Sequence, residues 1–77
     1  MVKAIRLSDL RVGQSARVVD VDATDEIGQR ILEMGLTPGI SVRLIGAAPL
    51  GDPLVFEVRG YHLSLRKLEA ARVEVEW

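Results

Sequence analysis

The stretch Ile31-Leu32-Glu33-Met34-Gly35-Leu36-Thr37-Pro38-Gly39-Ile40-Ser41-Val42-Arg43-Leu44 decides the fold, because the hydrophobic period changes inside it. Up to Met34 the apolar residues Ile27, Ile31 and Met34 recur at i, i+4 and i+7, the stripe of one helix face. Beyond Gly39 the period falls to two, with Ile40, Val42 and Leu44 alternating with Ser41 and Arg43, as in a half-buried strand. Gly35 is placed to end the helix in the left-handed conformation, and Leu36 can fold back onto the last turn. Thr37-Pro38-Gly39-Ile40 carries proline and glycine in the second and third places of a type II turn. A helix therefore hands over to a strand here.

Working outward from that junction, Thr24 is placed to cap the helix, and Asp25 and Glu26 put negative charge at the positive end of its dipole. Glu26 and Arg30 stand at i, i+4, a favourable exposed pair. Gly28 is out of place inside a helix and costs up to ~1 kcal/mol relative to Ala. Further upstream, Ser15 to Val21 reads as a first strand, with a bulge or change of face where Val18-Val19 breaks the alternation. Leu7-Ser8-Asp9-Leu10 reads as a helical turn capped by Ser8 and closed by Gly13. Downstream, Ala48-Pro49-Leu50-Gly51-Asp52-Pro53 is a turn-rich connection, followed by Leu54, Phe56 and Val58 alternating with Val55, Glu57 and Arg59. Gly60 marks a tight bend. Tyr61, Leu63 and Leu65 then alternate, facing the core, with His62, Ser64 and Arg66 outside. Arg66 to Ala71 makes one helical turn, and Arg72 to Glu76 closes as a last strand. The expected fold is mainly β: a small SH3-like five-stranded barrel with one inserted α-helix and a short helical turn before the last strand, residues 1–77 forming one domain.

Composition narrows the function. A chain of 77 residues lies near the lower limit for a self-sufficient core, and with no cysteine it has neither disulfides nor thiolate metal sites to help. Good packing or self-association must serve instead, so a homodimer is expected. Ten basic against eleven acidic residues give a net charge of −1, without the basic surplus that a nucleic-acid binder needs. No apolar run approaches the roughly 20 residues that span a bilayer, and Met1-Val2-Lys3-Ala4 does not begin a signal peptide. A cytoplasmic location without direct membrane insertion is the expectation.

The chemistry-bearing residues are few. His62 is the lone histidine, and a transition-metal site needs several converging ligands, so no metal and no cofactor are expected. Asp20, Asp22, Asp25 and Glu26 match no calcium loop and read as caps and solvated acids. One histidine and scattered serines make no catalytic constellation, and Gly35-Leu36-Thr37-Pro38-Gly39 follows a helix rather than opening one, unlike a phosphate loop. The chain reads as a binding protein and not an enzyme. The candidate partner-binding segment is Pro49, Leu50, Gly51, Asp52 and Pro53, where a large apolar residue occupies a turn and a proline on each side fixes its pose. Tyr61 is the aromatic candidate beside it.

At this level of detail the sequence resembles the FeoA family, the small cytosolic component of bacterial ferrous iron uptake. The resemblance rests on Leu7-x-Asp9-Leu10-x-x-Gly13, on Arg30-Ile31-Leu32-Glu33-Met34-Gly35-Leu36-Thr37-Pro38-Gly39, on Ala48 to Pro53, and on Arg59-Gly60-Tyr61-x-Leu63-x-Leu65-Arg66 with Glu69-Ala70. It implies an SH3-like barrel that associates with the large membrane GTPase-permease of the same system and modulates it. Similar domains also end iron- or manganese-dependent repressors, so the alternative implied is a regulatory domain of a metal-dependent transcriptional repressor.

Overall fold

Alternating strands with one apolar face must bury that face, and here they do so by wrapping a single sheet around it. The structure is a computed structural model that describes residues 5–77; the reading of Met1 to Ala4 lies outside the described residues. Six strands, β1 (Ile5–Arg6), β2 (Ser15–Val21), β3 (Ser41–Ala47), β4 (Leu54–Val58), β5 (Tyr61–Leu65) and β6 (Val73–Glu76), form one antiparallel sheet in the order β1-β6-β2-β3-β4-β5. A 3₁₀ turn (Leu7–Asp9) follows β1, helix α1 (Glu26–Glu33) separates β2 from β3, and the single turn α2 (Lys67–Ala70) precedes β6. This is the SH3-like barrel expected, left open between its edges β1 and β5. The strand beyond the five expected is β1, whose two residues pair with Val75 and Glu74 and are too few to show an alternation.

Every strand lends its inward residues to one core. Val18, Val42, Phe56, Val58, Leu65, Val73 and Val75 are fully buried, with Phe56 the largest of them. Ile31 of α1, Leu36 behind it and Leu7 of the 3₁₀ turn cover the remaining openings. Bulges break the register between Val18 and Asp20 and between Leu44 and Gly46, and such bends let a short sheet curl. The β4–β5 hairpin turns through Arg59 and Gly60, both at positive φ, which is the type I′ geometry that suits twisted strands. Thr37 to Ile40 makes the expected type II turn, Ile40 N–H donating to Thr37 O at 3.2 Å with Gly39 at φ 94°.

Helix α1 differs from the sequence expectation in its cap, its ion pair and its buried face. Asp25, not Thr24, is the N-cap, its Oδ1 accepting from Gly28 N–H at 3.0 Å; the Thr24 hydroxyl donates instead to Asp22 Oδ1 at 2.8 Å. Arg30 reaches Glu69 at 3.5 Å rather than Glu26, because the fold brings α2 alongside α1. The buried face runs through Gly28, Ile31 and partly Leu32, leaving Ile27 38% exposed. Gly28 sets that rotation: a Cβ there would lie 2.0 Å from the backbone carbonyl oxygen of Asp22, so the helix can approach the end of β2 only without a side chain. What looked like a weakness is a contact. In the 3₁₀ turn, too, the stabilising group is Asp9, which accepts from Arg6 N–H at 3.1 Å, and not Ser8.

Candidate functional site

The six-residue connection between β3 and β4 begins from the pair Ala47–Leu54. Ala48 N–H donates to Pro53 O at 2.9 Å, and Gly51 N–H to Ala48 O at 2.7 Å. Pro49 and Leu50 are thus the central residues of a β-turn. Among the described residues Arg59 is the one non-glycine at positive φ, so Leu50 at the third place is negative and the turn is type I rather than type II. Gly51 follows at φ 86° and reverses the chain. Asp52, joined to Pro53 by a cis peptide, accepts through Oδ1 from Lys67 N–H at 3.0 Å. That carboxylate supplies a partner for one of the orphan donors opening α2, while Glu69 Oε1 accepts from Arg66 N–H at 2.8 Å.

The turn is therefore clasped to α2 and held in place, yet Leu50 itself is 97% exposed. Proline on one side and the clasp on the other restrict the backbone that carries it, and among the described residues nothing covers it. Pro49 and Pro53 are exposed as well, and a cleft of about 230 Å³ lies between Asp52, Pro53 and Arg66. Five of the expected site residues are thus brought together.

Tyr61 is not brought to them. It stands at the far end of β4, a separation on the order of 15 Å for a five-residue strand at about 3.3 Å per residue. It is also not core-facing: 42% of it is exposed, and its hydroxyl donates to Met34 O beneath the turn that ends α1. A Cβ on Gly35 would come within 2.7 Å of that hydroxyl. Tyr61 fastens the helix terminus.

Two neighbours of the turn escaped the sequence reading. Leu68, 82% exposed, follows the clasped Lys67 in α2, whose buried position is taken by Ala70. Its signal was an apolar residue between Lys67 and Glu69 in a helical turn with a single inward position. The Asp52–Lys67 clasp had no sequence signal, since 15 residues separate its partners.

The other candidates resolve into structure. His62 is exposed on β5, 3.9 Å from Glu57, which also pairs with Arg43 at 3.1 Å. Hydrogen bonds from the Thr24 hydroxyl and backbone hold the Asp22 carboxyl below the usual range; the Arg72 guanidinium and then Gly28 N–H do the same for Asp25. These acids cap and pair. Among the described residues no group of three His, Cys, Asp or Glu converges in a way that could hold a metal ion, and no helix is long and apolar enough to cross a membrane.

The family profile described as FeoA domain matches residues 5–76. A fusion protein of Fe(2+) transport protein A with Fe(2+) transporter FeoB from Porphyromonas gingivalis is 40% identical over 72 residues, which are 94% of this chain. The chain spans 8% of that relative's length. An FeoA-like protein from Clostridium acetobutylicum superposes with a TM-score of 0.90 at 36% identity, covering 99% of this chain and 88% of that one. A zinc-complexed FeoA from Stenotrophomonas maltophilia, described as a prokaryotic SH3-domain protein, gives 0.82 at 37% identity over 92% and 88%. A manganese-dependent transcriptional repressor reaches 0.85 at 14% identity, covering 99% of this chain and 42% of its own, a likeness of fold alone.

Proposed function

This chain belongs to the FeoA family, which is linked to ferrous iron transport, and from that premise we propose that it is a non-enzymatic accessory protein that docks on the cytosolic GTPase part of the membrane ferrous iron permease and modulates it. The observation that carries the proposal is the fused relative, in which a segment 40% identical to this chain shares one polypeptide with the transporter. A covalent link raises the effective concentration of one module at the other, and such a link is useful when the two work in contact. On this reading the chain acts on the cytosolic side of the membrane as one domain of residues 1–77, without nucleic acid.

The rigid turn from Pro49 to Pro53 supplies the contact, with Leu50 as the anchor that enters a pocket on the permease. A preorganised apolar side chain costs little entropy to immobilise and gains by leaving water. The reading of the chain as a domain of a metal-dependent repressor keeps only the likeness of fold.

The test is co-purification and turnover. Tagged chain incubated with detergent-solubilised membranes should recover the permease, and adding the chain to the purified permease should change its rate of GTP hydrolysis. A permease that neither co-purifies nor changes its rate overturns the proposal.

A further inference from the structure

We infer that β5 is the interface through which two copies of this chain associate, the two strands running antiparallel about a two-fold axis at Leu63. The inference stands apart from the docking role proposed above. It begins from the phase of the hairpin. The turn at Arg59 and Gly60 makes Val58 and Tyr61 a hydrogen-bonded pair, and along an antiparallel ladder such pairs alternate with unbonded ones. Tyr61, Leu63 and Leu65 therefore bond to β4, while the N–H and C=O groups of His62 and Ser64 point away from it. The bonds of β3 keep the same phase. Leu44 bonds to Gly13 and Gln14, which leaves Phe56, opposite it on β4, to bond Leu63. β5 is an outermost strand of the sheet, and among the described residues the outward groups of His62 and Ser64 have no backbone partner. Both residues are exposed.

Sheets usually blunt such an edge with brevity, lysine, proline or a bulge. The opposite edge, β1, is short, at two residues. β5 has none of these devices: Tyr61-His62-Leu63-Ser64-Leu65 holds no lysine, proline or carboxylate and pairs with β4 without a register shift. The edge is open to an added strand, and its symmetry names the occupant. His62 and Ser64 stand on either side of Leu63. A second β5 laid antiparallel, Leu63 facing Leu63, sets His62 opposite Ser64 of the second copy and Ser64 opposite its His62. Each of these pairs exchanges both N–H and C=O groups, so every outward group gains a partner. β5 carries no lysine, arginine or carboxylate, so no such charge meets its like across the axis. A strand from another protein would have to supply this match, whereas a second copy has it already. One strand makes a small interface, so the association is weak and rises with concentration.

The test joins sedimentation equilibrium to residue-resolved amide hydrogen exchange on the full chain. The average mass should rise from the 8.5 kDa of one chain towards twice that with concentration. The His62 and Ser64 amides should exchange freely in dilute solution and become protected in step with the mass. His62→Lys with Ser64→Lys sets lysine opposite lysine at both pairs and should weaken association about tenfold in dilute salt. His62→Glu with Ser64→Glu should do the same, and an equimolar mixture of the two variants should associate again, since opposite charges then face each other. Both variants change exposed positions, so their unfolding temperatures in dilute solution should match the parent. If either fails to fold, the parent's exchange pattern decides alone. A parent that stays a monomer at its highest soluble concentration overturns the inference. So do His62 and Ser64 amides protected at every concentration, which would mean that the chain covers its own edge. A dimer that both variants form as tightly as the parent overturns it too, by placing the contact elsewhere. Protection of these amides by the permease and not by a second copy overturns the dimer and leaves the docking role standing.

Discussion

Two turns of this molecule treat their side chains in opposite ways. Around the start of α1 most of the polar groups are used internally. Asp22 holds Thr24, Asp25 caps Gly28 and pairs with Arg72, Gln29 bonds Ala23 O at 2.9 Å, and Gly28 sits against the end of β2. In the turn from Pro49 to Pro53 the polar groups are equally committed, but the largest apolar side chain is left entirely in water. The difference separates fold from function. Acidic residues that look like a site belong to the scaffold, and a leucine that looks like loop filler has no scaffold role to lose.

The first way to break the comparison is Gly28→Ala. Helix propensity alone predicts a gain of about 1 kcal/mol. The contact with Asp22 predicts the reverse, because the new Cβ meets backbone that cannot rotate away. We expect a loss of about 1–3 kcal/mol, the usual cost of overpacking, in chemical denaturation. A stabilised variant would mean that the helix sits differently on the sheet.

A smaller effect comes from Asp25→Asn. Asparagine caps a helix about as well as aspartate, so this change isolates the charge facing Arg72. The folded-state pKa of Asp25 is lowered, hence its contribution is present above the ordinary carboxyl value of 3.8 and lost as pH falls through the folded value. The melting-point difference between parent and variant should be largest near neutral pH and shrink below pH 3.8. A difference that is constant with pH would assign the effect to the cap geometry.

The smallest effect expected is on metal. With no cysteine and one exposed histidine, the chain should bind ferrous iron no more tightly than about millimolar in anaerobic calorimetry. A stoichiometric micromolar isotherm would place ligands where the described residues bring none together.

Sequence legibility followed the range of the interactions. The alternation of Val42 and Leu44 with Ser41 and Arg43, the type II turn at Pro38-Gly39 and the bulge near Val19 are set by adjacent residues and are legible in the sequence. The choice between Thr24 and Asp25 as cap could not, because both offer an oxygen and only the backbone path after β2 selects one. Arg30 chose Glu69 over Glu26, and Asp52 chose Lys67, through contacts that the chain makes only when folded. The alternation places Tyr61 in the core, yet it lies where β5 leaves the hairpin, and its hydroxyl serves the end of α1. Of the site, the turn was legible from its two prolines, and its neighbour Leu68 was not.

The central claim is that Leu50 belongs to a partner and not to this fold. Leu50→Asp tests it in one pair of measurements, permease binding and thermal unfolding. A residue 97% exposed contributes almost nothing to the core, so the melting point should stay within the shift of about 0.5 kcal/mol typical of surface changes. Binding should fall by about 2 kcal/mol or more, roughly thirtyfold, since a carboxylate replaces the anchor in an apolar pocket. A variant that melts normally and binds the permease as tightly as the parent contradicts the account.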